Sequence, residues 1–328
     1  MEDAIGSKIA DYLIKPVNQN QILISLKKNL QANQLVSDKT SLNYQQEFRQ
    51  LGMLLNNKLD VNEWKELYAK LVFWELQLDK IEDSGMSEIF EMQKKEANQQ
   101  FTGFIQDHYL NWLNGIEDGP LFIHNLIKER IFKRESNART LVLVIDNLRY
   151  DQWKVLEPVF NKYFVKQKEE IIFSILPTAT QYARNAFFAG LMPSEISRKH
   201  PQYWKNEEDE GSKNIFEKEL LDINLKRLGK SSLRYSYNKI TNVNGGKKLV
   251  EQFHKLKEND INFLVYNFVD MLSHARTDME VIRELADDES AYRSLTTSWL
   301  EHSPLLDVIK KAAEAKMELI LTLSLIHI

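Results

Sequence analysis

Three apolar runs in this sequence end on groups that can bind a cation or attack a phosphorus atom. Leu141-Val-Leu-Val-Ile-Asp146 ends on a carboxylate, and Ile171-Ile-Phe-Ser-Ile-Leu-Pro-Thr-Ala-Thr180 ends on a hydroxyl. Phe263-Leu-Val-Tyr-Asn-Phe-Val-Asp270 ends on a second carboxylate, and His274 follows it. Carboxylate, hydroxyl and imidazole together are the donor set of metal-assisted phosphoryl chemistry. Each group also has a plainer use. Asp146 or Thr180 can cap a helix N-terminus, and Thr178 competes with Thr180 for either role. A hydroxyl at a helix start also lies where the helix dipole favours negative charge. The Asp270–His274 pair is the sharper signal, because a turn after the strand brings the carboxylate and imidazole together as a divalent-metal pair.

Other patterns lead nowhere. Gly229-Lys230-Ser231 has the ending of a phosphate-binding loop, but Asn224 stands where its earlier glycine belongs. The acidic stretch Asn206–Glu210 reads as a solvated loop. The chain has no cysteine, so any metal must be held by oxygen and imidazole, and a reducing compartment is the expectation. With 43 basic and 47 acidic residues the formal charge is -4, so no global basic field advertises nucleic acid. No apolar run approaches the roughly 18–20 residues of a membrane span, and the N-terminus lacks the order of a signal peptide. A soluble cytoplasmic protein is expected.

The elements that must position these groups follow from hydrophobic period. The runs are too short and too uniformly apolar for half-exposed strands, and read as strands buried on both faces of a parallel sheet. Strands are expected at 141–145, 171–176, 263–269 and 318–322, with helical segments at 181–191, 247–257 and 303–316. That alternation predicts a parallel α/β sheet, whose ligands gather at the carboxyl ends of the strands. Leu233–Tyr237 is a candidate extra strand, and the rest of 198–245 reads as surface insertion. Before the sheet, residues 17–114 lack proline, which favours long helices. Trp64, Leu67, Tyr68, Leu71, Trp74 and Leu78 lie on one helical face, as do Phe101, Phe104, Ile105, His108 and Trp112. Packing alone produces such spacing, with an aromatic nucleic-acid platform as the alternative. Asp118-Gly119-Pro120 supplies a turn with proline at a first helical position. At the N-terminus, Ala10–Pro16 reads as a strand and Gln19–Leu30 as a helix, too little to enclose a core.

Taken in order, Val144-Ile-Asp146-Asn-Leu-Arg-Tyr-Asp151, Leu176-Pro-Thr-Ala-Thr180-Gln-Tyr-Ala-Arg-Asn185 and Asp270-Met-Leu-Ser-His274 resemble the PglZ family of the alkaline phosphatase superfamily. The likeness covers Arg139–Thr322. Tyr12-Leu-Ile-Lys15-Pro16 is similar to the last strand of a receiver domain, where the lysine contacts the phosphoryl group and the aromatic helps signal the switch. A receiver, a helical linker and a PglZ domain in this order resemble PorX-type response regulators of type IX secretion.

The resemblance implies a receiver remnant at 1–33, a helical linker at 34–138 and an incomplete alkaline-phosphatase-like sheet domain at 139–328. It implies two zinc ions and hydrolysis of phosphodiesters, including oligonucleotides. Asp146 and the nucleophile Thr180 would bind one ion, and Asp270 and His274 the other, with Arg184 or Asn185 contacting phosphate oxygens. It also implies a cognate sensor histidine kinase, a sigma factor or secretion-system component as partner, and a homodimer when phosphorylated. The alternative is a non-catalytic signalling module that acts by phosphorylation-linked dimerisation and partner binding.

In the family the strand beginning near Leu319 runs into an Asp-His pair that completes the first metal site, and a later histidine completes the second. Here Leu321-Thr322 is followed by Leu323-Ser-Leu-Ile-His-Ile328, and His327 does not match the motif. Met1 falls inside the receiver, without its phosphoacceptor aspartate. The expectation is a chain truncated at both ends, with 323–328 a non-native tail and each zinc site partly built. The 328-residue chain should therefore hydrolyse a nitrophenyl phosphodiester little or not at all, and robust turnover would overturn the truncation.

Overall fold

The computed structural model describes residues 19–81 and 84–323. The strand expected at 10–16, with Tyr12 and Lys15, lies outside the described residues, as does His327. The chain divides into two compact units, residues 1–117 and 118–328. Among the described residues no helix is long and apolar enough to cross a membrane.

The first unit is built from α1 (Gln19–Leu55), α2 (Val61–Leu78) and α3 (Ser84–Leu113). Asp60 starts α2 with a capping box: its Oδ1 accepts from the Asn62 and Glu63 N–H groups at 2.7 and 2.9 Å, and Glu63 Oε2 accepts from the Asp60 N–H at 2.7 Å. The apolar face of α2 is buried at Trp64, Leu67, Leu71, Trp74 and Leu78. Trp64 meets Phe101 and Phe104 of α3 at 5.1 and 5.9 Å, and Tyr44 of α1 meets Trp74 at 5.4 Å. The aromatic spacing is therefore the spacing of a bundle core.

In the second unit the turn at Asp118–Pro120 leads to no α-helix. Phe122 bridges Phe173, and a single 3-10 turn (Ile123–Asn125) and a π turn (Ile127–Ile131) follow. Then come β1 (Thr140–Ile145), α4 (Tyr150–Phe160), α5 (Thr180–Ala189), α6 (Pro193–Lys199) and α7 (Glu217–Arg227). After these come β2 (Tyr235–Ile240), α8 (Val243–Glu251), α9 (Phe253–Leu256) and β3 (Ile261–Tyr266). The unit continues with α10 (Phe268–Asp278), α11 (Glu280–Leu285), α12 (Glu289–His302), α13 (Pro304–Glu314) and β4 (Glu318–Leu323).

The strands form one parallel sheet in the order β2-β3-β1-β4, with Thr140 opposite both Ile261 and Glu318. Every residue of β1 and β3 is buried, as expected for strands covered on both faces. On one face Leu141, Leu143 and Leu264 pack with Leu156 of α4, Leu249 of α8, Leu300 of α12 and Val308 of α13. On the other, Phe188 of α5 meets Phe263 at 6.3 Å and Tyr237 at 5.5 Å.

One expected strand is corrected. Residues 171–176 stay outside the sheet and pair only through the Phe122–Phe173 bridge. Their apolar character reflects partial burial against 121–123, and an apolar run reports burial rather than strand pairing. The extra strand expected at 233–237 is β2, shifted to Tyr235–Ile240, on the sheet edge.

The chain order carries each connection past a neighbouring strand. From β1 the chain passes α4, on the face that also holds α13, and then α5 and α7 before it reaches β2 beyond β3; from β3 it passes β1 to reach β4, by way of α13. In parallel sheets ligands gather at the carboxyl ends of the strands, here those of β1 and β3.

Helix α5 ends at Gly190, whose φ of 60° is left-handed, and a Cβ there would lie 2.5 Å from Arg227 Nη2 and 2.6 Å from Asn224 Oδ1 of α7. Gly190→Ala should therefore destabilise the second unit by about 1–2 kcal/mol, measurable by urea denaturation followed by circular dichroism.

Candidate functional site

Asp146 follows the last residue of β1 and is 1% exposed. Its N–H still bonds the Tyr266 carbonyl at 2.9 Å, so the ladder with β3 holds the aspartate in register at the carboxyl end of the strand. Asn147 then turns the chain with φ 58°, a left-handed conformation that Asn tolerates better than most residues. An ionised carboxylate buried to this degree requires a compensating charge. Arg184 supplies it: Nη1 meets Asp146 Oδ2 at 2.5 Å, and Nη2 meets Glu217 Oε2 at 2.7 Å. Arg184 is itself 1% exposed. Burial weakens the affinity of its guanidinium for the proton, but the charges of Glu217 and Asp146 outweigh that and raise its pKa. Arg184 Nε and Glu217 Oε1 are buried without a hydrogen-bond partner.

The placement of Asp270 corrects the expectation of a strand end. β3 stops at Tyr266, and Asp270 is the third residue of α10. The Asn267 N–H bonds Ile240 O at 3.0 Å and the Met271 N–H bonds Asn267 O at 3.1 Å, so the apolar run 263–269 is divided between strand and helix. His274 lies one helical turn after Asp270, Nε2 to Oδ1 at 3.8 Å, with its side chain 75% exposed. Burial, and then the charge of Asp146, raise the Asp270 pKa, partly offset by His274, Arg184 and Lys239. The charge of Asp146, just after β1, thus reaches Asp270 in the first turn of α10.

Helix α10 is held in place from the side. Arg276 pairs with Glu289 at 2.9 Å, and Glu289 pairs with Arg149 at 2.5 Å. Arg149 and Arg293 both pair with Asp151 at 2.7 Å, while Arg149 and Arg276 lie over the Tyr292 ring. The turn after Asp146 is thereby tied to the helix that carries Asp270.

Thr180 is the first residue of α5, and Ala179 before it makes no side-chain cap. Arg184 follows one turn later on the same helix face, so the hydroxyl position and the Asp146 partner share a side of α5. Asn185 is buried, donates to Lys213 O at 3.2 Å and accepts from Asn214 Nδ2 at 3.1 Å. The structure thus joins Asp146 to Arg184 directly, Asp270 to His274 along one helix, and the two aspartates through their charges. Sequence reasoning missed Glu217, Tyr237 and Lys239. Glu217 and Lys239 lie in the polar stretch read as surface insertion, and Tyr237 ends the candidate extra strand; the burial of Glu217 is invisible without the fold.

The donors suit a divalent cation in kind: carboxylate oxygen, hydroxyl oxygen and imidazole nitrogen at one sheet edge. In number they fall short. Among the described residues no group of three or more His, Cys, Asp or Glu side chains comes together to hold a metal. Each expected pairing offers two protein ligands, where zinc takes three or four.

Residues 122–323 match a family model described as the BREX system PglZ alkaline phosphatase-like domain. Residues 34–113 match one described as the PorX response regulator linker domain. No curated protein matches the chain. Asp146, Thr180, Asp270 and His274 all lie inside the longer match.

The two aspartates should respond oppositely to removal in chelator-treated protein. Asp270 holds its proton more tightly folded than unfolded, so stability falls as pH rises from the ordinary carboxyl range through its raised value. Asp270→Asn should therefore melt higher than wild type at neutral pH, with the difference vanishing in acid. Asp146→Ala should lose about 3 kcal/mol, because it removes one partner of a buried arginine. Thermal melts across pH check both.

Proposed function

The chain belongs to the PglZ alkaline phosphatase-like family, and from that premise we propose that it is the effector-bearing part of a response regulator that hydrolyses phosphodiester bonds with zinc. Its match to a PorX response regulator linker supports the regulatory half of this reading. Oligonucleotides are the proposed substrate class and control of type IX secretion the proposed setting. A sensor histidine kinase, a sigma factor or secretion-system component, and a second copy of the phosphorylated chain are the proposed partners.

The observation that supports the hydrolase reading is the buried ion pair of Asp146, at the end of β1, with Arg184, which stands one turn after Thr180 on α5. In this reading Thr180 Oγ attacks phosphorus, a bond forms to that oxygen, and the bond to the leaving alkoxide breaks. Water then cleaves the Thr180 ester. The uncapped N-terminus of α5 favours the negative charge of the transferred group. Asp146 with Thr180 would hold one zinc ion and Asp270 with His274 the other. When bound, zinc would acidify the Thr180 hydroxyl and offset charge on the transferring group.

Thr180→Ala in the full-length protein should abolish hydrolysis of bis(nitrophenyl) phosphate while most of the zinc stays bound. Metal content by mass spectrometry and initial rates report both. A wild-type protein with neither zinc nor activity would sink the hydrolase reading and leave the non-catalytic signalling module in its place.

A further inference from the structure

The first turn of α5 carries an aromatic ring as well as Thr180. Tyr182 stacks against Trp204, with ring centroids 6.0 Å apart and planes 24° from parallel, the offset geometry that aromatic faces favour. Both residues are partly exposed. Phe188 on the same helix is the contrast, fully buried among Phe187, Tyr237 and Phe263. Large rings left partly in water are the exception in a folded chain, and these stand beside the hydroxyl proposed to attack phosphorus. The loop that carries Trp204 is fastened to the start of α5. The Tyr182 hydroxyl and Gln181 Nε2 both donate to Glu207 Oε1, at 2.8 and 3.3 Å, and Asn214 Nδ2 reaches Thr180 O at 3.5 Å. Within the loop, Trp204 Nε1 donates to Asn206 Oδ1 at 3.1 Å, and the Asn206 N–H to Asp209 Oδ2 at 2.6 Å. The indole is thus set in place before any ligand arrives, which lowers the entropy that binding must offset.

We propose that Trp204, stacked on Tyr182, is the subsite for the nucleobase on the retained side of the scissile phosphodiester, and the residue that favours a nucleotide ester over an alkyl one. The proposal rests on the hydrolase reading of this site. In an in-line displacement the leaving oxygen departs opposite the attacking one, so the substituent that stays on phosphorus lies to the side of Thr180. Successive helix residues turn by about 100°, which puts Tyr182 away from the side that Thr180 shares with Arg184. The ring pair therefore flanks the helix start, where the retained substituent must lie. Four consecutive acids, Glu207 to Glu210, follow on the same loop and repel a further run of phosphates. What suits this flank is one flat, uncharged ring beside the scissile phosphate. Base–aromatic stacking tolerates any base, because every base has a π-face.

The test compares two substrates with the same nitrophenolate leaving group in the full-length protein. The nitrophenyl ester of thymidine 5′-phosphate retains a base, and methyl nitrophenyl phosphate retains none. The readout is the ratio of their kcat/KM values. Wild type should prefer the thymidine ester, and Trp204→Ala should lower that preference about 10-fold, the scale of one base–aromatic stack. Trp204→Phe, which keeps a ring, should retain most of it. A merely structural role lowers both rates together and leaves the ratio where it was. If Trp204→Ala does not fold, Trp204→Leu carries the test, because it keeps apolar bulk without a ring. A wild type with no preference for the thymidine ester, or a folded ringless variant with the wild-type ratio, overturns the proposal and leaves the hydrolase reading standing. A wild type that hydrolyses neither ester removes that reading, and the proposal with it.

Discussion

A buried arginine between two buried carboxylates is the interaction on which the rest of the second unit depends. Arg184, Asp146 and Glu217 come from α5, the end of β1 and the start of α7, and none is more than 1% exposed. Taking such charges out of water costs several kcal/mol per ion, and the cost is offset only if the geometry is satisfied on every side. The two helices and the strand are thus held to one arrangement by charge as well as by packing. Hydrophobic contacts between α5 and the sheet, such as Phe188 on Phe263, set the depth. The ion pairs fix the end of β1 against α5 and the start of α7.

The carboxyl ends of β1 and β3 lie side by side in the parallel sheet, and helix α10 follows directly on β3. Asp146 arrives by strand register and Asp270 by the first turn of a helix, two different mechanical supports. The links Arg276–Glu289–Arg149–Asp151–Arg293 join those supports. They make the spacing of the two aspartates a property of the folded unit rather than of either element. Burial first, and then the charge of Asp146, raise the Asp270 pKa.

Much of this was legible in the residues, and the misses have a common cause. β1 and β3 are readable because burial on both faces leaves no polar position within the pairing core, as Leu141–Ile145 and Phe263–Tyr266 show. The aromatic faces of α2 and α3 are readable because helical period is local. By contrast, residues 171–176 have the composition of such a strand and do not join the sheet. The apolar run ending at Asp270 hides a change from strand to helix at Asn267. In both cases composition reports how much water is excluded, and pairing depends on a neighbour that composition cannot name. β2 is an edge strand with one buried residue, Ile240, so the candidate strand at 233–237 caught its first half and the polar residues after Tyr237 gave no further signal.

The sequence by itself determined the residue types at the strand ends, the helical character of the first unit, and the three ordered motifs of the PglZ family. These are local properties, written in period and spacing. Only the tertiary structure decided that Arg184 is the internal counter-ion of Asp146, and that Glu217, Tyr237 and Lys239 stand behind it. An ion pair is a relation between elements distant along the chain, and the cost of burying each charge has meaning only once the fold has removed its water.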